Sequence, residues 1–201
     1  LHDAGFIHFD LKPSNVLLDE NYYPKLTDFG IGRYLENWIR VLPNRISTPF
    51  YLAPEQIKDD FCTYKVDVFS FGMILYEFYA NAPPIIKGKT SYQIMRNITK
   101  GMRSNLKKLE EGPVKELIQK CWSESAEERP TFDDIIHCYT ENRKYFWPED
   151  VDDEEVEQYL NKFGLSLDPD KIVEFFLKNP STDKEEEEEN NNDDDDYHKK
   201  K

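Results

Sequence analysis

The chain has 201 residues, of which 38% are apolar and 14% aromatic, enough for one medium-sized packed domain. Its formal net charge of −14 is uneven: residues 1–148 hold 20 acidic and 19 basic side chains, while residues 149–201 hold 20 acidic and 7 basic. The acidity therefore belongs to the tail, and the globular part carries no basic patch of the kind that follows a phosphate backbone, which argues against a nucleic-acid partner.

Three cysteines, Cys62, Cys121 and Cys138, are widely spaced and form no C-x-x-C pair. They read as free thiols, neither a disulfide framework nor a zinc site. No run approaches the ~18 apolar residues of a membrane span, and no signal peptide opens the stretch. The expected location is thus intracellular and reducing, that is, cytoplasmic. The chain starts with Leu1 in place of Met, which reads as a fragment or a processed product.

In chain order, residues 1–5 read as the end of a helix stopped by Gly5. Val16 to Leu18 and Lys25 to Thr27 read as two short strands, joined through Asp19 to Pro24 into a hairpin. Residues 28–62 show no sustained period and carry Gly30, Gly32, Pro43, Pro49 and Pro54, as a long functional loop does. Residues 65–80 are apolar nearly all round, as expected of a helix at the centre of a domain, and Asn81 to Pro84 end it.

A second helix is expected over 91–100. A third opens at Pro113 and runs to Trp122. A fourth starts at Thr131, which has capping-box spacing to Asp134, with Ile135, Ile136 and Tyr139 inward. Beyond Pro148 the composition changes. Val156, Tyr159, Leu160 and Phe163 make one apolar stripe, and Ile172, Val173, Phe176 and Leu177 another, so 149–178 reads as a helical hairpin. Residues 179–201 are dominated by Glu, Asn and Asp and should be disordered.

The stretch Ile7-His8-Phe9-Asp10-Leu11-Lys12-Pro13-Ser14-Asn15 carries the chemistry. Phosphoryl transfer needs a carboxylate beside the attacking hydroxyl, a cation for the charge on the transferred group, and hard oxygen ligands for Mg²⁺. Asp10, Lys12 and Asn15 are those residue types in one loop. A second carboxylate, Asp28 in Asp28-Phe29-Gly30, follows the next strand, and the hairpin brings it to the same edge.

In order, "HFDLKPSN", "DFG", "APE", "DVFSFGMILYEF" and "CWSESAEERPTF" resemble the catalytic loop, metal-binding loop, activation-segment end, central helix and buried-arginine segment of a eukaryotic protein kinase. The likeness covers roughly residues 1–146 and resembles the serine/threonine type in the tyrosine-kinase-like group. It implies a mainly α fold like the carboxy-terminal lobe of a kinase (residues 1–148) with a small β-hairpin at the catalytic edge, followed by the helical extension and the tail. It implies ATP and Mg²⁺ as cofactors and a protein substrate.

By position, Asp10 resembles the catalytic base. Lys12 would contact the transferred phosphate, and Asn15 and Asp28 would hold Mg²⁺ and the nucleotide. Thr48 would bridge Asp10 and Lys12 beside the substrate hydroxyl. Among structural residues, Asp67 would bond the backbone of the catalytic loop, Glu55 and Arg129 would form a buried ion pair, and His8 and Gly30 would shape the two loops. Phe9 stands where the family usually has an Arg that pairs with a phosphorylated activation segment. It implies either a kinase held active by other contacts, which the intact Asp10, Lys12, Asn15 and Asp28 favour, or loss of catalysis.

No G-x-G-x-x-G is present in the chain, so the amino-terminal lobe of the family is expected to be missing and the chain inactive by itself. Two further readings stay open: a truncated binding or decoy module without catalysis, and an interaction protein whose acidic tail meets a basic protein partner.

Overall fold

A computed structural model describes residues 1–20, 22–30, 32–34, 49–58, 61–84 and 86–146, together with 152, 154, 157 and 158. The chain divides into two units, residues 1–152 and 153–201. Of the second, Glu154, Glu157 and Gln158 are described and are helical. The expected helical hairpin over 149–178 falls almost wholly outside the described residues, and the acidic tail does so entirely.

The first unit is mainly helical with two small antiparallel ribbons, the expected fold class. A 3₁₀ turn at His2–Ala4 ends on Gly5, whose φ of 74° is the left-handed conformation that glycine adopts freely. Strand β1 (Phe6–Ile7) pairs with β4 (Arg33–Tyr34), and β2 (Val16–Leu18) pairs with β3 (Pro24–Leu26). The hairpin's second strand begins one residue earlier than expected, at Pro24. Proline is tolerated at the first position of a strand, where no ladder N–H is required. The β2–β3 turn closes on Asp19, whose carboxylate accepts the Tyr23 N–H at 2.9 Å.

The segment expected to be irregular, 28–62, contains β4, a 3₁₀ turn at Pro49–Tyr51 and the one-turn helix α1 (Pro54–Ile57). Each has two to four residues, too short to show a period.

Helix α2 (Lys65–Ala80) has the expected bounds and stops on Asn81 at φ 46°. It has buried residues on every side because two hydrophobic clusters share it. Phe69, Met73 and Tyr76 enter a larger core with Phe9, Tyr51, Ile98, Ile118 and Trp122. Val68 enters a smaller one with Leu117, Cys121, Ile135 and Phe146.

Helix α3 (Ser91–Ile98) is capped by the Thr90 hydroxyl. Helix α4 (Pro113–Cys121) opens on its proline and crosses α2 at Gly72. A Cβ added at Gly72 would stand 2.6 Å from the Cβ of Cys121, so the crossing requires glycine. Helix α5 (Phe132–Glu141) carries the expected capping box between Thr131 and Asp134. Ile135 is its buried residue, while Ile136 and Tyr139 are half-buried. The short α6 (Arg143–Phe146) was not expected and closes the smaller core with Phe146. Among the described residues, no helix is long and apolar enough to cross a membrane, and no disulfide joins the three cysteines.

Candidate active site

The loop between β1 and β2 is anchored from below by α2. Near the start of that helix, the Asp67 carboxylate accepts the N–H of His8 at 2.8 Å on Oδ2 and the N–H of Phe9 at 2.9 Å on Oδ1. His2 Nε2 also lies 2.9 Å from Oδ2. Asp67 is buried, and a buried carboxylate needs such donors to offset the water it has lost.

His8 is buried as well. Its Nδ1 accepts the Asp10 N–H at 3.3 Å, so its Nε2 is the protonated nitrogen, and that nitrogen donates to the Thr27 carbonyl at 3.0 Å. One ring thus joins the loop to the end of β3, next to Asp28.

Within the loop three side chains converge. Lys12 Nζ donates to Asp10 Oδ2 at 2.6 Å. Asn15 Nδ2 donates to the same oxygen at 3.2 Å and to the Asp10 carbonyl at 2.8 Å. Asn15 is buried in a 3₁₀ turn opened by Pro13. Its backbone carbonyl accepts the Thr27 N–H at 3.0 Å, which ties it to the strand that delivers Asp28. With Nδ2 committed to Asp10, the oxygen end of the Asn15 amide is the hard donor.

Asp28 is exposed, with φ 62°. Phe29 follows it and packs its ring 5.1 Å from that of His8 and 5.8 Å from that of Phe6. An amide oxygen and a carboxylate match the oxygen preference of Mg²⁺, which takes few protein ligands and fills its shell with phosphates and water. Among the described residues, no group of three or more His, Cys, Asp or Glu side chains forms a cage of its own.

Phe9 is 2% exposed and belongs to the larger core. Its φ is 65°, a region that costs a bulky residue on the order of 1–3 kcal/mol and persists only when the surroundings over-determine it. Both of its backbone groups are held: the N–H by Asp67, and the carbonyl by Gln56 Nε2 at 3.0 Å. No motif singles out Gln56. A glutamine after Ala-Pro-Glu is one more polar residue until the fold brings it against a loop 47 positions away.

Glu55, on α1, meets Arg129 in a two-pronged ion pair, Nη1 to Oε1 at 2.6 Å and Nη2 to Oε2 at 2.9 Å. The remaining guanidinium donors reach the carbonyls of Ser123, Lys65 and Glu124. A buried charge is tolerated when every donor is used in this way. A second cation, Arg103, lies on the other side of the same region. The guanidinium carbons of Arg103 and Arg129 stand 4.8 and 5.1 Å from the Phe69 ring centroid. Desolvation by burial pushes the Arg103 pKa down, and its bond to Glu124 opposes that shift.

Tyr51, just before α1, donates its hydroxyl to Glu77 at 2.5 Å. Burial first, and that bond second, push its pKa upward, so the phenol stays neutral. Gly30 is exposed beside Asp28, and Thr48 lies outside the described residues.

Comparison with known proteins gives the same answer as the motifs. The family model for the protein kinase domain matches residues 1–140. The chain is 37% identical over 137 residues to the serine/threonine/tyrosine-protein kinase HT1 of Arabidopsis thaliana, covering 68% of this chain and 35% of that protein. It is 33% identical over 138 residues to the dual specificity protein kinase shkB of Dictyostelium discoideum, covering 67% and 21%. It is 31% identical over 172 residues to the serine/threonine-protein kinase STY46 of Arabidopsis thaliana, covering 82% and 28%. The chain thus spans about a third or less of the length of these relatives. With a family match over most of its length, and with a loop that holds an Asp, a Lys and an Asn on one carboxylate, this chain belongs to the protein kinase family.

Proposed function

We propose that these residues form the carboxy-terminal catalytic lobe of a protein serine/threonine kinase, of the tyrosine-kinase-like group, that moves the γ-phosphoryl group of ATP to Ser or Thr hydroxyls of proteins. The observation that carries this reading is the convergence of Lys12 and Asn15 on Asp10 Oδ2, at 2.6 and 3.2 Å, in a loop whose backbone is bonded to Asp67. The names of the relatives support Ser/Thr chemistry, as does Lys12 two residues after Asp10.

In this reading both side-chain donors occupy Oδ2, and Asp10 Oδ1 orients the substrate hydroxyl and takes its proton. Lys12 turns from Asp10 toward the transferred group as negative charge spreads over its oxygens. Asn15 and Asp28 provide the amide and carboxylate oxygens for Mg²⁺, and Thr48 aligns the hydroxyl beside Asp10. Mg²⁺·ATP, when bound, supplies the phosphoryl group and the metal's charge. The buried Phe9 removes the phosphate-pairing arginine of the family, so the site works without that switch. In cells it acts in the cytoplasm.

The 201 residues contain no Gly-rich phosphate loop, so a separate amino-terminal lobe has to cover the nucleotide. The hairpin supports that assignment: Leu18 and Leu26, on the same face of the ribbon, are 62% and 36% exposed. Such a patch suits a second lobe laid over it. The domain scheme is a kinase lobe over 1–148, a helical extension over 149–178 and an acidic tail over 179–201 that can meet a basic protein.

The test is phosphotransfer by this chain joined to its amino-terminal lobe, with radiolabelled ATP and a general protein substrate. Asp10→Asn should cost on the order of 10²–10⁴-fold in kcat, the usual contribution of a general base. Asp28→Asn should abolish the Mg²⁺ dependence along with the activity. Full activity in Asp10→Asn would take the general-base role from Asp10, and a wild-type joined chain without phosphotransfer would favour the binding-module reading.

A further inference from the structure

We infer that Gln56 is a positioning residue for the reaction, fixing the peptide plane that carries Asp10. This inference rests on the kinase reading above. The plane between Phe9 and Asp10 has two polar ends, and each is bonded to one side chain. Its N–H, from Asp10, donates to His8 Nδ1 at 3.3 Å. Its carbonyl, from Phe9, accepts from Gln56 Nε2 at 3.0 Å. The first bond is long and belongs to the same loop. The second is shorter, comes from α1 and is buried, with Gln56 6% exposed.

The plane's orientation sets the φ of Asp10 and hence where its carboxylate stands. Phe9 is held at φ 65°, a conformation that relaxes unless something opposes it. Asp67 restrains the N–H on the near side of Phe9, and Gln56 restrains the carbonyl on the far side.

The same amide does a second thing. Gln56 Oε1 accepts the Ala53 N–H at 2.9 Å, half of a capping box at the start of α1. One side chain therefore joins the first turn of α1, next to Glu55 and its ion pair with Arg129, to the backbone of the catalytic loop. A cap alone needs only Oε1. The tie needs Nε2.

Gln56→Glu separates the two. The carboxylate still accepts from Ala53, whereas its other oxygen faces the Phe9 carbonyl with no proton to give. In the chain joined to its amino-terminal lobe, kcat should fall about tenfold or more, since displacement of a catalytic group by about 1 Å costs up to 10²-fold. KM for ATP and for the protein substrate should stay within about twofold. In the 201-residue chain, hydrogen exchange of the Asp10 amide should accelerate about tenfold while the Ala53 amide stays protected.

Gln56→Met, uncharged and of similar length, serves if the carboxylate prevents folding. It should speed exchange at both amides, and an unchanged Asp10 amide would overturn the tie. Wild-type kcat and exchange in Gln56→Glu would reduce Gln56 to a cap. A wild-type joined chain without phosphotransfer, but with the exchange pattern described, would overturn the kinase reading and leave the tie standing.

Discussion

At the scale of single residues, Arg129 shows what a buried charge demands. Its side chain is fully enclosed and its donors reach Glu55 and three backbone carbonyls. Removing one partner leaves the other's charge buried and alone, which costs about 3–5 kcal/mol. Glu55→Gln and Arg129→Met should therefore each lower the stability of the chain by that order in urea titrations. The double replacement should cost clearly less than their sum, because it leaves no charge behind. Additive losses would mean that the two side chains stabilise the fold separately. The sequence presents Glu55 and Arg129 as two charges 74 positions apart. The residue types of the loop, Asp10, Lys12 and Asn15, announce their chemistry directly. Gln56 announces nothing, because its partners are a backbone carbonyl and a backbone N–H, and backbone groups leave no trace in a motif.

At the scale of elements, the helices long enough to show a period are readable, with ends marked by Asn81, Pro113 and Thr131. The elements that escaped, β4, α1 and α6, have two to four residues and exist because tertiary partners hold them, which no local pattern records. Two element-level features give sharp expectations. The Asp134 carboxyl is held below its ordinary value by the backbone N–H and the hydroxyl of Thr131. A carboxyl with a lowered folded pKa stabilises above its ordinary value, and that stabilisation is lost as pH falls through the lowered one. Thr131→Ala should cost about 1 kcal/mol at neutral pH. The gap between Asp134→Asn and wild type in thermal melts should close as pH drops below the ordinary carboxylate range; a gap constant with pH would assign the effect to helix propensity instead. The second feature is the crossing of α2 and α4. Gly72→Ala drives a methyl into Cys121 Cβ and should destabilise by about 1–3 kcal/mol. Cys121→Ser keeps that Cβ and should bring no relief.

At the scale of the whole molecule, α2 serves both hydrophobic clusters, so neither can open without stripping one side of the same helix. That coupling reaches the titration of the core. Burial pushes the Cys121 thiol up from 9.0 to about 12 and the Tyr79 phenol from 10.0 to about 12. Burial likewise raises Cys138, Tyr51 and Tyr139. Tyr51 sits in the larger cluster, Cys121 in the smaller, and Tyr79 packs against both. Groups with raised folded pKa values contribute stability that is intact below their unfolded values and is lost as pH climbs through the folded ones. The unfolding midpoint in urea should thus hold steady up to about pH 9, where an exposed thiol begins to ionise, and fall beyond it. Cys121 contributes at most about 1.4 kcal/mol per pH unit over that window, and the partly exposed tyrosines add less. Cys121→Ala should start from a lower midpoint, because it empties space beside Gly72, and then lose less between pH 9 and 10 than wild type does. Because α2 links the clusters, the loss should appear as one transition moving to lower urea, the same by helical circular dichroism and by the fluorescence of Trp122 in a chain with Trp38 and Trp147 replaced by Phe. Two separate transitions would show that the clusters open independently and that α2 does not bind them into one cooperative unit.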